Sequence, residues 1–81
     1  MRVAGVTFNL ETITGEEMAD FFDAARKNDI RGVSVGLALV IDECPAEWGN
    51  PRDPKTYLKQ SYFKVLEPLV LDLADERAGK N

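Results

Sequence analysis

Hydrophobic and polar positions change period several times along this 81-residue chain. Near the start, Val6, Phe8 and Leu10 alternate with Thr7, Asn9 and Glu11. A period of two is that of a half-buried strand. One short strand has no stability of its own. Residues 1–12 are therefore expected to form an extended arm, or a strand that pairs with a second strand or between subunits. The next signal is helical. Thr14-Gly-Glu-Glu17 fits a capping box, in which Thr14 accepts from the Glu17 amide and Glu17 reaches back to the Thr14 amide. Ile13 and Met18 stand where a hydrophobic staple would be. Met18, Phe21, Phe22 and Ala25 follow on one helical face, with Glu16, Asp20, Asp23 and Lys27 on the other. Helix 1 is expected over 14–28, where Asn28 and Asp29 end it and cap the next element.

Residues 30–44, IRGVSVGLALVIDEC, read both ways. With period two, Val33, Val35, Leu37, Leu39 and Ile41 line one face of a strand. With helical period, Ile30, Val33, Leu37, Val40, Ile41 and Cys44 line one side, and Val35 and Leu39 lie opposite. A helix apolar on both sides belongs in the middle of a bundle. Gly32 and Gly36 each cost a helix about 1 kcal/mol relative to alanine. Their spacing of four places them on one face, where a neighbouring helix can approach closely. Local signals thus leave helix and strand both open for this segment.

Residues 54–78 are expected to form the third helix. Asp53 is a good N-cap, and Pro54 suits the first helical position. Leu58, Tyr62, Val65, Leu66, Leu69 and Leu73 keep helical spacing as far as Gly79, a C-terminal cap. Pro68 cannot donate to the Lys64 carbonyl and crowds it, so a kink or break is expected there. Phe63 and Val70 fall beside the main stripe, as the margin of the core or as an apolar strip offered to a partner. The fold expected from these elements is all-α, a small three-helix domain with a short N-terminal strand or arm; α+β is the alternative.

Between helices 2 and 3 lies the least regular stretch, CPAEWGNPRDPKTYL, with three prolines, a glycine and the only tryptophan. Pro45 ends the preceding element, because the residue before a proline avoids helical geometry. Pro45–Trp48 can make one short turn, with Gly49 supplying the reversal. Residues 45–53 are therefore expected to be a rigid linker that holds Trp48 over the end of a helical core. The competing role for Trp48 is that of an interface anchor.

Composition narrows function mainly by exclusion. The chain has no histidine and one cysteine, Cys44, so no internal disulfide, no histidine-activated nucleophile and no cysteine-based zinc site are expected. Cys44 reads as a small buried hydrophobe. Glu16, Asp20 and Asp23 read as a solvated helix face rather than metal ligands. There is no Gly-rich phosphate loop, so no catalytic residue or cofactor is assigned and the protein is not expected to be an enzyme. No long uncharged apolar run is present, and the start lacks the pattern of a signal peptide, so a cytoplasmic protein is expected. Net charge is −4, which argues against nucleic acid. Charge is uneven, however: nine acids and four bases precede residue 51, and five acids and six bases follow. Arg52, Lys55, Lys59 and Lys64 make a local positive region, either solvated or facing an anionic partner.

The order of elements resembles a known family. FNLETITGEEMADFFDAARKND, an apolar middle segment, CPAEWGNPRDPKTYL and a final helix look like the small tail assembly chaperones of long-tailed bacteriophages and prophages. The resemblance spans residues 6–75 and contains no catalytic signature. It implies a mostly helical protein of the bacterial host cytoplasm, absent from the mature virion. Such a protein binds the tape measure protein, keeps it soluble, helps to recruit tail tube protein and self-associates. It also tips residues 30–44 towards helix. Many members have a longer, frameshifted form, of which this chain carries no trace. The surface expected to bind the partner comprises Trp48, Phe63 and Val70. The rival expectation is a small acidic phage-encoded inhibitor that blocks a host or defence protein through its acidic face.

Overall fold

Residues 30–44 are helical only as far as Val40, so the helix expected over the whole segment ends early, and the strand reading, which began at Val33, holds only from Ile41 to Glu43. The computed structural model describes residues 3–79, so the first two residues of the expected arm lie outside it. Within that range the protein is mostly helical, with a two-stranded sheet. Strand β1 is Thr7–Phe8, helix α1 is Gly15–Arg26, helix α2 is Ile30–Val40 and strand β2 is Ile41–Glu43. A 3-10 turn, Ala46–Trp48, leads to helix α3, Pro54–Leu58. A π-helical turn, Tyr62–Leu66, then runs directly into helix α4, Glu67–Ala78.

Residue 41 is where the apolar middle segment changes conformation. Ile41 has extended angles, φ −90° and ψ 119°, and β2 pairs antiparallel with β1, Thr7 opposite Glu43 and Phe8 opposite Ile41. The register is irregular between Thr7 and Phe8, and the Asn9 amide donates to the Val40 carbonyl at 2.7 Å. The alternation near the start holds in part: Val6 is buried and Thr7 and Glu11 are exposed, but Asn9 is half-buried like Phe8 and Leu10. The arm is also tied to α4, because the Val3 amide donates to Asp72, a buried carboxylate, at 2.7 Å.

Helices α1 and α2 form a hairpin whose ends were legible. Both hydrogen bonds of the Thr14/Glu17 capping box are made, at 3.0 and 3.1 Å. Asn28 takes a positive φ of 57°, and Asp29 caps α2 by accepting from the Gly32 amide. The contact between the two helices is built on the glycines. A Cβ on Gly32 would lie 2.8 Å from the Ala24 Cβ, and one on Gly36 would lie 2.9 Å from the Phe21 Cβ. This close approach rotates α1 from its expected stripe. Phe21 and Ala24 are its buried residues, while Met18, Phe22 and Ala25 are only half-buried. Phe22 lies instead beneath Arg77 of α4, whose guanidinium is 4.8 Å from the ring centre. α2 is covered on most sides, as expected, but Val35 is 51% exposed.

Ser34, on α2, is fully buried and its hydroxyl has no hydrogen-bond partner among the described residues. An unsatisfied buried hydroxyl costs about 1–3 kcal/mol, so Ser34→Ala should raise stability in urea by about 1 kcal/mol. Loss of stability in that variant would show that the hydroxyl has a partner in solution.

The third helix is corrected in two places. It breaks at residues 59–61 rather than at Pro68. Lys59 ends α3, the Gln60 side chain donates to the Thr56 carbonyl, and Ser61 restarts the helix with its oxygen facing the Lys64 amide. Pro68 is accommodated by the π turn before it, in which the Leu66 and Glu67 amides reach back five residues to Ser61 and Tyr62. Prolines and π turns are both recognised sites of helix irregularity, and here they adjoin. The break also changes the phase of the stripe. Tyr57, not Leu58, is the fully buried residue of α3, whereas Leu66, Leu69 and Leu73 are buried as expected. Gly79 ends α4 with φ 75°.

Candidate partner-binding groove

The groove begins with residues that the π turn and α4 turn outward. Phe63 is 74% exposed, and Leu71 is 61% exposed. Val70 is half-buried between them in sequence. Two adjoining depressions share Asn28, Ile30, Tyr62 and Glu67 as lining. The more enclosed one, about 240 Å³, extends along Ala25, Val33, Val70 and Leu71. The more open one reaches Phe63. Together they make a groove between the α1–α2 connection and the start of α4. Tyr62 bridges its sides, since its hydroxyl donates to the Asn28 side chain at 3.4 Å. Tyr62 and Phe63 also pack edge to face, with centres 5.0 Å apart.

Of the three residues expected at a partner surface, the fold brings Phe63 and Val70 to this one groove and leaves Trp48 elsewhere. Trp48 is half-buried, edge-on to Tyr57 with ring centres 6.5 Å apart. Its turn forms as expected: the Trp48 amide donates to Pro45, and Gly49 takes φ 113°. The Thr56 hydroxyl donates to the Asn50 carbonyl, and the Tyr57 hydroxyl to the Pro51 carbonyl, both at 2.6 Å. Burial pushes the Tyr57 phenol well above its usual range. Trp48 thus packs as a plug on the core residue that fastens the linker.

Leu71, Ile30 and Glu67 were not singled out as surface residues. Leu71 follows a residue already placed beside the stripe, and only the π turn decides which face it takes. A third depression, about 270 Å³, runs between α1 and α2, where Val35 and Leu39 meet Glu17 and Asp20. Sequence reading assigned Val35 to a covered side of α2, and the open side is a property of the packing.

The charged groups behave as a solvated surface. Asp23 is held below the usual carboxylate range by Lys27, at 3.0 Å, and by Arg26, which also bonds it. Arg52 pairs with Asp42 at 2.7 Å and also donates to the Leu39 carbonyl. The side chains of Lys55, Lys59 and Lys64 have no ion pair among the described residues. The Cys44 thiol is half-buried against the Gly49 carbonyl at 3.5 Å. Burial, and then Glu47, push its pKa up, away from the reactive thiolate. Among the described residues no cluster of cysteines and acids is arranged to hold a metal ion, and no helix is long and apolar enough to cross a membrane. Comparison with protein-family models, curated proteins and solved structures gives no match.

Proposed function

We propose that this protein is a tail assembly chaperone-like module that covers an apolar helical stretch of a tape measure protein before tail tube assembly. The observation that carries the reading is the groove beside Phe63, where a large aromatic ring stands 74% exposed at the mouth of an apolar depression. Isolated exposed apolar residues need no explanation, but a ring, an apolar strip and a depression together mark an interaction site. A helix laid along such a groove inserts side chains at helical spacing. The tape measure protein is named as partner, and tail tube protein added to the proposal, on the resemblance in motif order alone. The site of action would be the cytoplasm of the bacterial host, with the protein left out of the mature virion. The small groove suits reversible binding, and the net charge of −4 keeps loaded complexes apart. At high concentration the same strip would drive self-association.

Co-expression with a tape measure protein of a long-tailed bacteriophage tests the reading. Its soluble fraction should rise several-fold with the wild-type chain and not with Phe63→Asp. Equal insolubility with and without the wild-type chain would overturn the proposal. The acidic inhibitor finds less support, because Asp23 on the acidic face is already neutralised by two cations. The triple variant Glu16→Lys, Asp20→Lys, Asp23→Lys should leave solubilisation intact, whereas an inhibitor acting through that face would lose its target.

A further inference from the structure

We infer that the groove is built for an apolar helix carrying one lysine or arginine within its apolar stripe, and that Glu67 selects it. This rests on the helix-binding reading above and adds the chemistry of the occupant. Glu67 lines both depressions. It follows Phe63 by four residues and precedes Val70 by three and Leu71 by four, so it belongs to the same outward strip. Its carboxylate is exposed and has no hydrogen-bond or ion-pair partner among the described residues.

The neighbouring polar groups do not satisfy it. Asn28 accepts from Tyr62 through its amide oxygen, and its side-chain NH2 makes no hydrogen bond to Glu67. Lys27, next to Asn28, is bound to Asp23. Arg31, beside Ile30, makes no ion pair among the described residues. Lys64 precedes Glu67 by three residues, with the base on the N-terminal side, which is the weaker order for a helical ion pair. It makes no such pair here.

A helix that contacts Phe63 and Val70 together must lie over the residue between them. Docking then strips water from the Glu67 carboxylate, and an unpaired charge without water is costly. A wholly apolar helix bears that cost in full, and one with an acid there bears more. A lysine or arginine at that point forms a charge-assisted hydrogen bond and removes it. Phe63, Val70 and Leu71 therefore supply adhesion, and Glu67 supplies selection.

The probes are three synthetic 18-residue helical peptides with one leucine stripe and one polar face, differing only at the central stripe position: lysine, leucine or glutamate. Binding to the full chain is measured by calorimetry. The lysine peptide should bind about tenfold more tightly than the other two, the low end of what a hydrogen bond to a charged group contributes. Glu67→Gln should bring the lysine and leucine peptides within about threefold of each other, because a neutral amide needs no counter-charge. Glu16→Gln makes the same change in net charge on exposed α1, so it should keep the full preference and controls for general attraction to an acidic protein. Equal binding of the lysine and leucine peptides to wild type would overturn the inference, as would a preference that survives Glu67→Gln or an absence of binding by all three. Selective peptide binding without tape measure solubilisation would sink the chaperone proposal and keep this inference. Solubilisation without peptide selectivity would do the reverse.

Discussion

Gly36→Ala should lower the melting temperature by about 10 °C, although alanine is the better helix former. In an open helix the exchange gains about 1 kcal/mol. Here the new Cβ would fall 2.9 Å from both Cβ and Cγ of Phe21, and nearer still to its Cδ1. Phe21 is only 1% exposed, and its Cβ cannot swing aside, so α1 and α2 must move apart. Overpacking of this kind costs about 1–3 kcal/mol and sometimes more. Each kcal/mol of net loss is worth about 4–8 °C in a domain of this size. Gly15→Ala is the control: nothing lies within 4 Å of the added atom, so that variant should be neutral or slightly stabilised. Thermal melting of both decides the matter. A stabilised Gly36→Ala would mean that the helices do not touch as described.

Tyr57→Ala is expected to cost about 3–5 kcal/mol, the range for removing a fully buried large aromatic. In a chain this small, that loss removes much of the margin between folded and unfolded states. The effect should spread to the Pro/Trp linker, because Tyr57 is both the ring against which Trp48 packs and the donor to Pro51. Fluorescence of Trp48, the only tryptophan, should shift to the red before global unfolding. Tyr57→Phe isolates the hydrogen bond and should cost about 1 kcal/mol. The phenol also sets an alkaline limit. An unfolded tyrosine ionises near pH 10, while burial holds Tyr57 protonated well beyond that, so the folded state binds the extra proton. Stability is therefore fully present below about pH 10 and falls as pH rises above it. Tyr57→Phe should flatten that fall in urea titrations between pH 9 and about 11. An unchanged alkaline slope would show that other groups govern it.

These two residues also mark how far the sequence could be read. Gly32 and Gly36 announced a close helix contact by their spacing alone, because absent side chains on one face leave a surface that a neighbour can meet. Tyr57 was not picked out, since Leu58 continued the spacing of the residues beyond it. The break at residues 59–61 shifts that phase, and its only local sign is Ser61, a capable cap inside an otherwise helical pattern. At the groove, Phe63 and Val70 were recognisable as off-stripe apolar residues. Glu67 was not, because a lone acid on a helix looks like any solvated one until its neighbours are placed.

Local chemistry determined several ends of elements in this protein: the Thr14 and Asp29 caps and the reversals at Gly49 and Gly79. Each depends on backbone geometry within a few residues, so the sequence carries it directly. Tertiary structure alone decided where the middle segment passes from helix to strand, since Ile41–Glu43 become a strand only when β1 is there to receive their hydrogen bonds. It alone decided that Val35 lies open, that Ala24 is buried and that Phe63, Val70 and Glu67 share one groove. Those outcomes depend on which helix covers which face, and hydrophobic periodicity describes a face without naming its partner.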